Sequence, residues 1–141
     1  VLRPIPVLMS LALSAVLLAP LPATATGAET PLTAEEFEAQ VTGKTITYAS
    51  GGMVYGAEEY QPGRRVRWSF AGGECQEGIW YPEDRFICFV YRENPVPQCW
   101  TFFREGDGLR ALFNDTPGDT ELTEVHRTDR PLVCAGPDVG V

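Results

Sequence analysis

Cys75, Cys88, Cys99 and Cys134 carry the most specific chemistry in this sequence. Four cysteines can form two disulfides, and with no C-x-x-C pair the paired thiolates of a structural zinc site are a poor fit. Catalytic groups are sparse. His126 is the single histidine, so a histidine metal cluster is excluded and a Ser-His-Asp triad would depend on this one residue. A half-exposed side chain at a strand end is the simpler reading. Asp115, Asp119 and Glu121, with Asp107, lack the spacing and glycine of an EF-hand and read as turn residues. Glu58-Glu59 and Glu83-Asp84 are carboxylate pairs, but neighbours on a strand point to opposite faces, so neither makes a facing acid-base dyad. Both pairs read as solvated charge. Arg64-Arg65-Val66-Arg67 is the local basic cluster, suited to an anionic ligand or to glutamates on the next strand. No catalytic residue, metal site or cofactor is expected from this set.

Short β-rich runs separated by turn residues must position these side chains. Eight strands are predicted, at Thr45 to Ala49, Met53 to Tyr60, Arg64 to Ala71, Cys75 to Tyr81, Arg85 to Arg92, Gln98 to Arg104, Leu109 to Asn114 and Glu121 to Arg127. Ahead of them, Leu32-Thr33-Ala34-Glu35-Glu36-Phe37 spells a capping box with its hydrophobic staple, and Gly43 supplies a stop, so a short amphipathic helix is expected. Eight sequential strands hide their edges most simply in an antiparallel up-and-down barrel; a two-sheet sandwich is the alternative. Val66, Trp68 and Phe70 share one face of their strand, with Arg65, Arg67 and Ser69 on the other. Phe86 to Tyr91 is apolar on both faces, which places it centrally, with its second face under the helix or the C-terminal tail.

Hairpin geometry discriminates among the three possible cysteine pairings. With Glu83-Asp84 at the centre of the fourth hairpin, Cys88 faces Ile79 and Cys75 lies about 13 Å further along the strand. That exceeds the Cα limit of roughly 7 Å for a disulfide. With Glu93-Asn94 at the centre of the next hairpin, Cys88 faces Cys99, which leaves Cys75 for Cys134. Trp68, Trp80, Trp100 and Tyr81 are the large aromatic residues of the central strands. They either fill a core or line a ligand cavity, because eight strands stand at the boundary between packed and hollow barrels.

The 141 residues, 44% hydrophobic and 21% charged, are those of one ordinary globular domain. A net charge of −8 would repel the phosphates of nucleic acid. Arg3, the apolar run Val7 to Ala19, Pro20, Pro22 and then Ala23-Thr24-Ala25 have the order of a signal peptide cleaved after Ala25. The apolar run is too short for a membrane span, which needs about 18 to 20 residues. Residues 1–25 are thus expected to be removed, 26–31 to form a flexible leader and 32–141 to form the domain. Without Arg3, ten basic and nineteen acidic residues remain, a charge of −9. A periplasmic or secreted product without a membrane span is expected, and oxidised cysteines suit that compartment.

Leu32 to Phe37, Thr42-Gly43-Lys44-Thr45, Tyr60, Gly78-Ile79-Trp80, Ile87-Cys88 and Gln98-Cys99-Trp100 together resemble a group of small exported bacterial domains of unknown function, lipocalin-like in fold. The resemblance spans roughly Leu32 to His126. In true lipocalins the G-x-W motif lies on the first strand, whereas here it is mid-chain, so no lipocalin ligand residue carries over. The resemblance supports the barrel and brings no activity with it. By fold analogy the leading expectation is a non-enzymatic lipocalin-like barrel for a small apolar or amphipathic ligand or an envelope component, and Trp68, Trp80, Trp100 and Tyr81, as the large aromatic residues of the central strands, are the candidate ligand residues. The alternative is a protein inhibitor of a cationic hydrolase such as lysozyme, attracted by the acidic surface.

Overall fold

The Glu36 amide donates to the Thr33 hydroxyl and the Thr33 amide to the Glu36 carboxylate, closing the predicted capping box. With those two amides satisfied, helix α1 spans Ala34–Val41, and Gly43 (φ 80°) turns the chain out of it. α1 has no basic residue in its last turn. Arg127 supplies that charge from the barrel wall, donating to the Gln40 carbonyl at 2.8 Å while Glu124 holds its guanidinium at 2.7 Å.

The computed structural model describes residues 29–136, so the expected signal peptide lies outside the described residues. Of the expected leader, Glu29 pairs with Arg110. All eight predicted strands are present: β1 Thr45–Ser50, β2 Met53–Gln61, β3 Arg65–Phe70, β4 Gln76–Glu83, β5 Phe86–Tyr91, β6 Gln98–Glu105, β7 Gly108–Phe113 and β8 Glu121–Thr128. Each pairs antiparallel with the next, and β8 returns to β1. The described residues form a closed eight-stranded antiparallel barrel with one short helix, and closure leaves none of these strands with an unpaired edge. The sandwich alternative is thereby overturned.

Cys88 faces Cys99 across β5 and β6, as the hairpin centre at Glu93-Asn94 requires, and the two are bonded with a Cα separation of 4.0 Å. Cys75 is bonded to Cys134. Such bonds are the state expected of an oxidising, non-cytoplasmic compartment. Among the described residues no helix is long and apolar enough to cross a membrane. The fourth hairpin departs from the sequence reading. Its turn is centred on Asp84-Arg85, because Asp84 adopts the left-handed conformation (φ 51°), so Cys88 faces Tyr81 and not Ile79. Cys75 is then even further from Cys88 than expected.

The helix also differs from expectation. It does not cover the outer face of β5 but plugs one end of the barrel. Phe37 is fully buried, with its ring centroid 5.6 Å from Tyr60, 5.2 Å from Trp80 and 4.4 Å from Phe102. On the outer face of β5, Cys88 is buried beside its own disulfide. The C-terminal tail runs elsewhere: the Leu132 amide donates to Glu59 and the Ala135 amide to Gly73, beside the Cys75–Cys134 bridge. Plugging one end leaves the other, ringed by the β1–β2, β3–β4, β5–β6 and β7–β8 connections, as the place where a cavity can open.

Candidate functional site

Strand alternation aims Trp68 of β3, Phe89 and Tyr91 of β5, Trp100 and Phe102 of β6 and Leu122 of β8 into the barrel above the plug. Together with Tyr48, Tyr55, Glu58 and Tyr60 they line a cavity of about 250 Å³. A single water occupies roughly 10–15 Å³ on the same measure, so the space is that of a ligand and not of an isolated solvent molecule. Gln76, Glu93, Asn94 and Gln98 form the polar part of the mouth.

Two glycines shape the walls. A β-carbon on Gly78 would lie 2.8 Å from the Tyr91 ring and 2.4 Å from the Val90 carbonyl, so the glycine of the G-x-W motif is the seat of Tyr91. A β-carbon on Gly56 would lie 2.4 Å from the Trp68 indole, which rests across β2 at that point. A register shift between β1 and β2 pairs Tyr48 with Gly56 and Ala49 with Val54, leaving Tyr55 as the extra residue. The bulge brings Tyr55 to the mouth, 5.9 Å from Trp68 and 5.6 Å from Phe70 between ring centroids.

Glu58 is the polar centre of the floor. It is 2% exposed, and one carboxylate oxygen, Oε2, accepts from the Tyr91 hydroxyl at 2.9 Å. The other, Oε1, is buried without a hydrogen-bond partner. Burial pushes the Glu58 carboxyl well above the usual carboxylate range, a shift that the Tyr91 hydrogen bond only partly offsets. Tyr48 and Tyr60 share a hydrogen bond of 2.9 Å beside it. Burial likewise raises Tyr48, Tyr60 and Tyr91, so all three keep their hydroxyl protons.

The solvated reading of Glu58 is therefore corrected, and so is that of Glu59, whose side chain is only 15% exposed and accepts from the Leu132 amide. Glu59 points outward to Arg67, which also meets Glu77 at 2.9 Å. The signal for Glu58 was available: Gly56, Glu58 and Tyr60 share a face, and across a hairpin centred on Gly63 Glu58 stands opposite the inward Trp68. Tyr55 left no such signal, because a bulge breaks the alternation.

The candidate ligand residues separate by position. Trp68 and Trp100 line the cavity. Trp80 is inside but at the plugged end, packed on Phe37 with the Arg64 guanidinium 4.7 Å from its ring centroid. Tyr81, its neighbour on β4, is half-buried on the other face of the strand, opposite Cys88, and does not line the cavity. Two arginines of the basic cluster are paired, Arg64 with Glu38 and Arg67 with Glu59 and Glu77, while Arg65 is exposed and reaches only the Pro62 carbonyl among the described residues. His126 is exposed on β8. Among the described residues Glu83, Cys88 and Cys99 lie close together, but the two sulfurs are bonded to each other and are not thiolate ligands. No family model, curated protein or solved structure matches the chain.

A raised carboxyl pKa makes folding pH-dependent. Between the unfolded value near 4.5 and the raised folded value, the unfolded chain gives up a proton that Glu58 keeps, so stability falls as pH rises. Glu58→Gln removes this contribution. Urea melts across pH should show the variant gaining on the parent above pH ~4.5 by about 1.4 kcal/mol per pH unit, with no gain below it. A constant difference across pH would place Glu58 in solvent.

Proposed function

We propose that the protein is an exported, non-enzymatic, lipocalin-like binding protein whose cavity takes a small ligand with an apolar body and one polar end. The observation that carries this reading is the unpartnered Glu58 Oε1 on the floor of an aromatic-walled cavity open at the unplugged end. A buried polar atom left unmade costs about 1–3 kcal/mol, which a ligand group can recover on binding. The apolar body would lie between Trp68, Trp100 and Phe89, and few polar groups at the end of an apolar pocket are what fixes a ligand's orientation. The mouth is edged by the exposed apolar side chains Met53, Val54 and Phe70, which suits a ligand arriving from an apolar environment.

The inhibitor reading draws less support. It asks for a filled barrel and a protruding acidic loop. The acidic β7–β8 connection instead folds back, with Asp115 accepting from the Thr101 hydroxyl at 3.0 Å and paired with Arg85 at 2.8 Å.

N-phenyl-1-naphthylamine tests the proposal. It should quench tryptophan fluorescence saturably, with micromolar affinity equivalent to about 8 kcal/mol. Trp68→Ala should weaken that binding at least tenfold at a stability cost below the ~3–5 kcal/mol of a packed tryptophan, because its indole already borders empty space. No saturation in the parent, together with a full core-sized stability loss in Trp68→Ala, would contradict the proposal.

A further inference from the structure

Among the described residues, those lining the cavity include two acidic ones, Glu58 and Glu93, and no lysine, arginine or histidine. An apolar anion such as a fatty acid would thus enter without a counter-charge, into a site whose buried polar centre is itself an acid. The walls present aromatic rings, with Tyr55, Trp68 and Phe70 grouped together and Trp100 also on the lining. Ring faces attract cations, most strongly where water is excluded. The Tyr91 hydroxyl donates to Glu58 Oε2, the arrangement that favours an anion, while Oε1 faces no protein donor.

From this juxtaposition we infer that the ligand is an organic ammonium ion, held by the aromatic walls with its charge against Glu58 Oε1. The inference rests on the ligand-binding reading above and narrows it to one charge class. In the unliganded cavity Glu58 holds its proton. The ammonium group takes over as its partner, and the proton leaves to solvent, so that a neutral acid and a cation become an ion pair plus one released proton. The titratable groups that face Glu58 do not supply this charge. Tyr48 on β1, Tyr60 on its own strand and Tyr91 on β5 remain neutral, and on β8 the nearest cation, Arg127, is engaged by Glu124 at the plugged end.

The test compares phenyltrimethylammonium with its neutral isostere tert-butylbenzene and with the anion 3-phenylpropionate, by calorimetry on the disulfide-bonded protein and on Glu58→Gln. The parent should prefer the cation over the isostere by at least about tenfold, and the preference should fall to near unity in Glu58→Gln. In the parent, cation affinity should rise by about tenfold per pH unit while Glu58 is protonated, with one proton released per ligand; in Glu58→Gln it should be flat. Equal binding of cation and isostere, tighter binding of the anion, or an unchanged preference in Glu58→Gln would overturn the charge assignment and leave the ligand-binding reading standing. Binding of none of the three would overturn both.

Discussion

Phe37→Ala lowers the stability of the fold by about 3–5 kcal/mol, read as a fall in the urea midpoint at unchanged slope. The size follows from what Phe37 touches. Its ring is fully buried and meets Tyr60, Trp80, Phe89 and Phe102, one residue from each of four strands. The barrel wall is a closed hydrogen-bonded cylinder, so it cannot collapse inward to fill the space. The helix has only Phe37 and Val41 fully buried, so losing one removes half of its anchor. A loss below about 1 kcal/mol would show that the helix rests on the barrel without plugging it.

Removing the Cys75–Cys134 bridge by the double change Cys75→Ala and Cys134→Ala should cost about 4 kcal/mol, against about 3 kcal/mol for the equivalent change at Cys88 and Cys99. The difference is one of loop length: the first bridge joins residues 59 apart and the second residues 11 apart. The first also holds the tail, whose Leu132 amide bonds Glu59 and whose Ala135 amide bonds Gly73. Amide exchange at Leu132 and Ala135 should therefore accelerate in the first variant and not in the second. The reverse order of stability losses would show that the tail's contacts, and not its covalent closure, dominate.

The barrel was legible because its signals are local and redundant. Each strand carries its own alternation and each connection its own turn residues, so eight strands could be placed to within two residues of their observed ends. The Cys88–Cys99 pairing followed from one hairpin centre. The fourth hairpin is ambiguous because Glu83-Asp84 and Asp84-Arg85 are both acceptable turns by composition, and the left-handed Asp84 chooses between them. The site was only half legible. Aromatic type marks Trp68, Trp80 and Trp100 equally, yet which end of the barrel each occupies depends on where the helix enters, a long-range fact that no strand carries. Glu58 is hard to place for a different reason. Acidic residues on strands are usually solvated, and only pairing Glu58 with the inward Trp68 across the second hairpin reveals that this one is inside.

The same division among the tryptophans gives the most direct test of the cavity. Protein labelled with 5-fluorotryptophan carries one fluorine in each of Trp68, Trp80 and Trp100, assigned by single changes to phenylalanine. On titration with N-phenyl-1-naphthylamine, the Trp68 and Trp100 resonances should shift together and saturate, while Trp80, shielded behind Phe37 and Arg64, should not move. Uniform small shifts of all three, or a shift of Trp80 alone, would contradict a binding cavity at the unplugged end of the barrel.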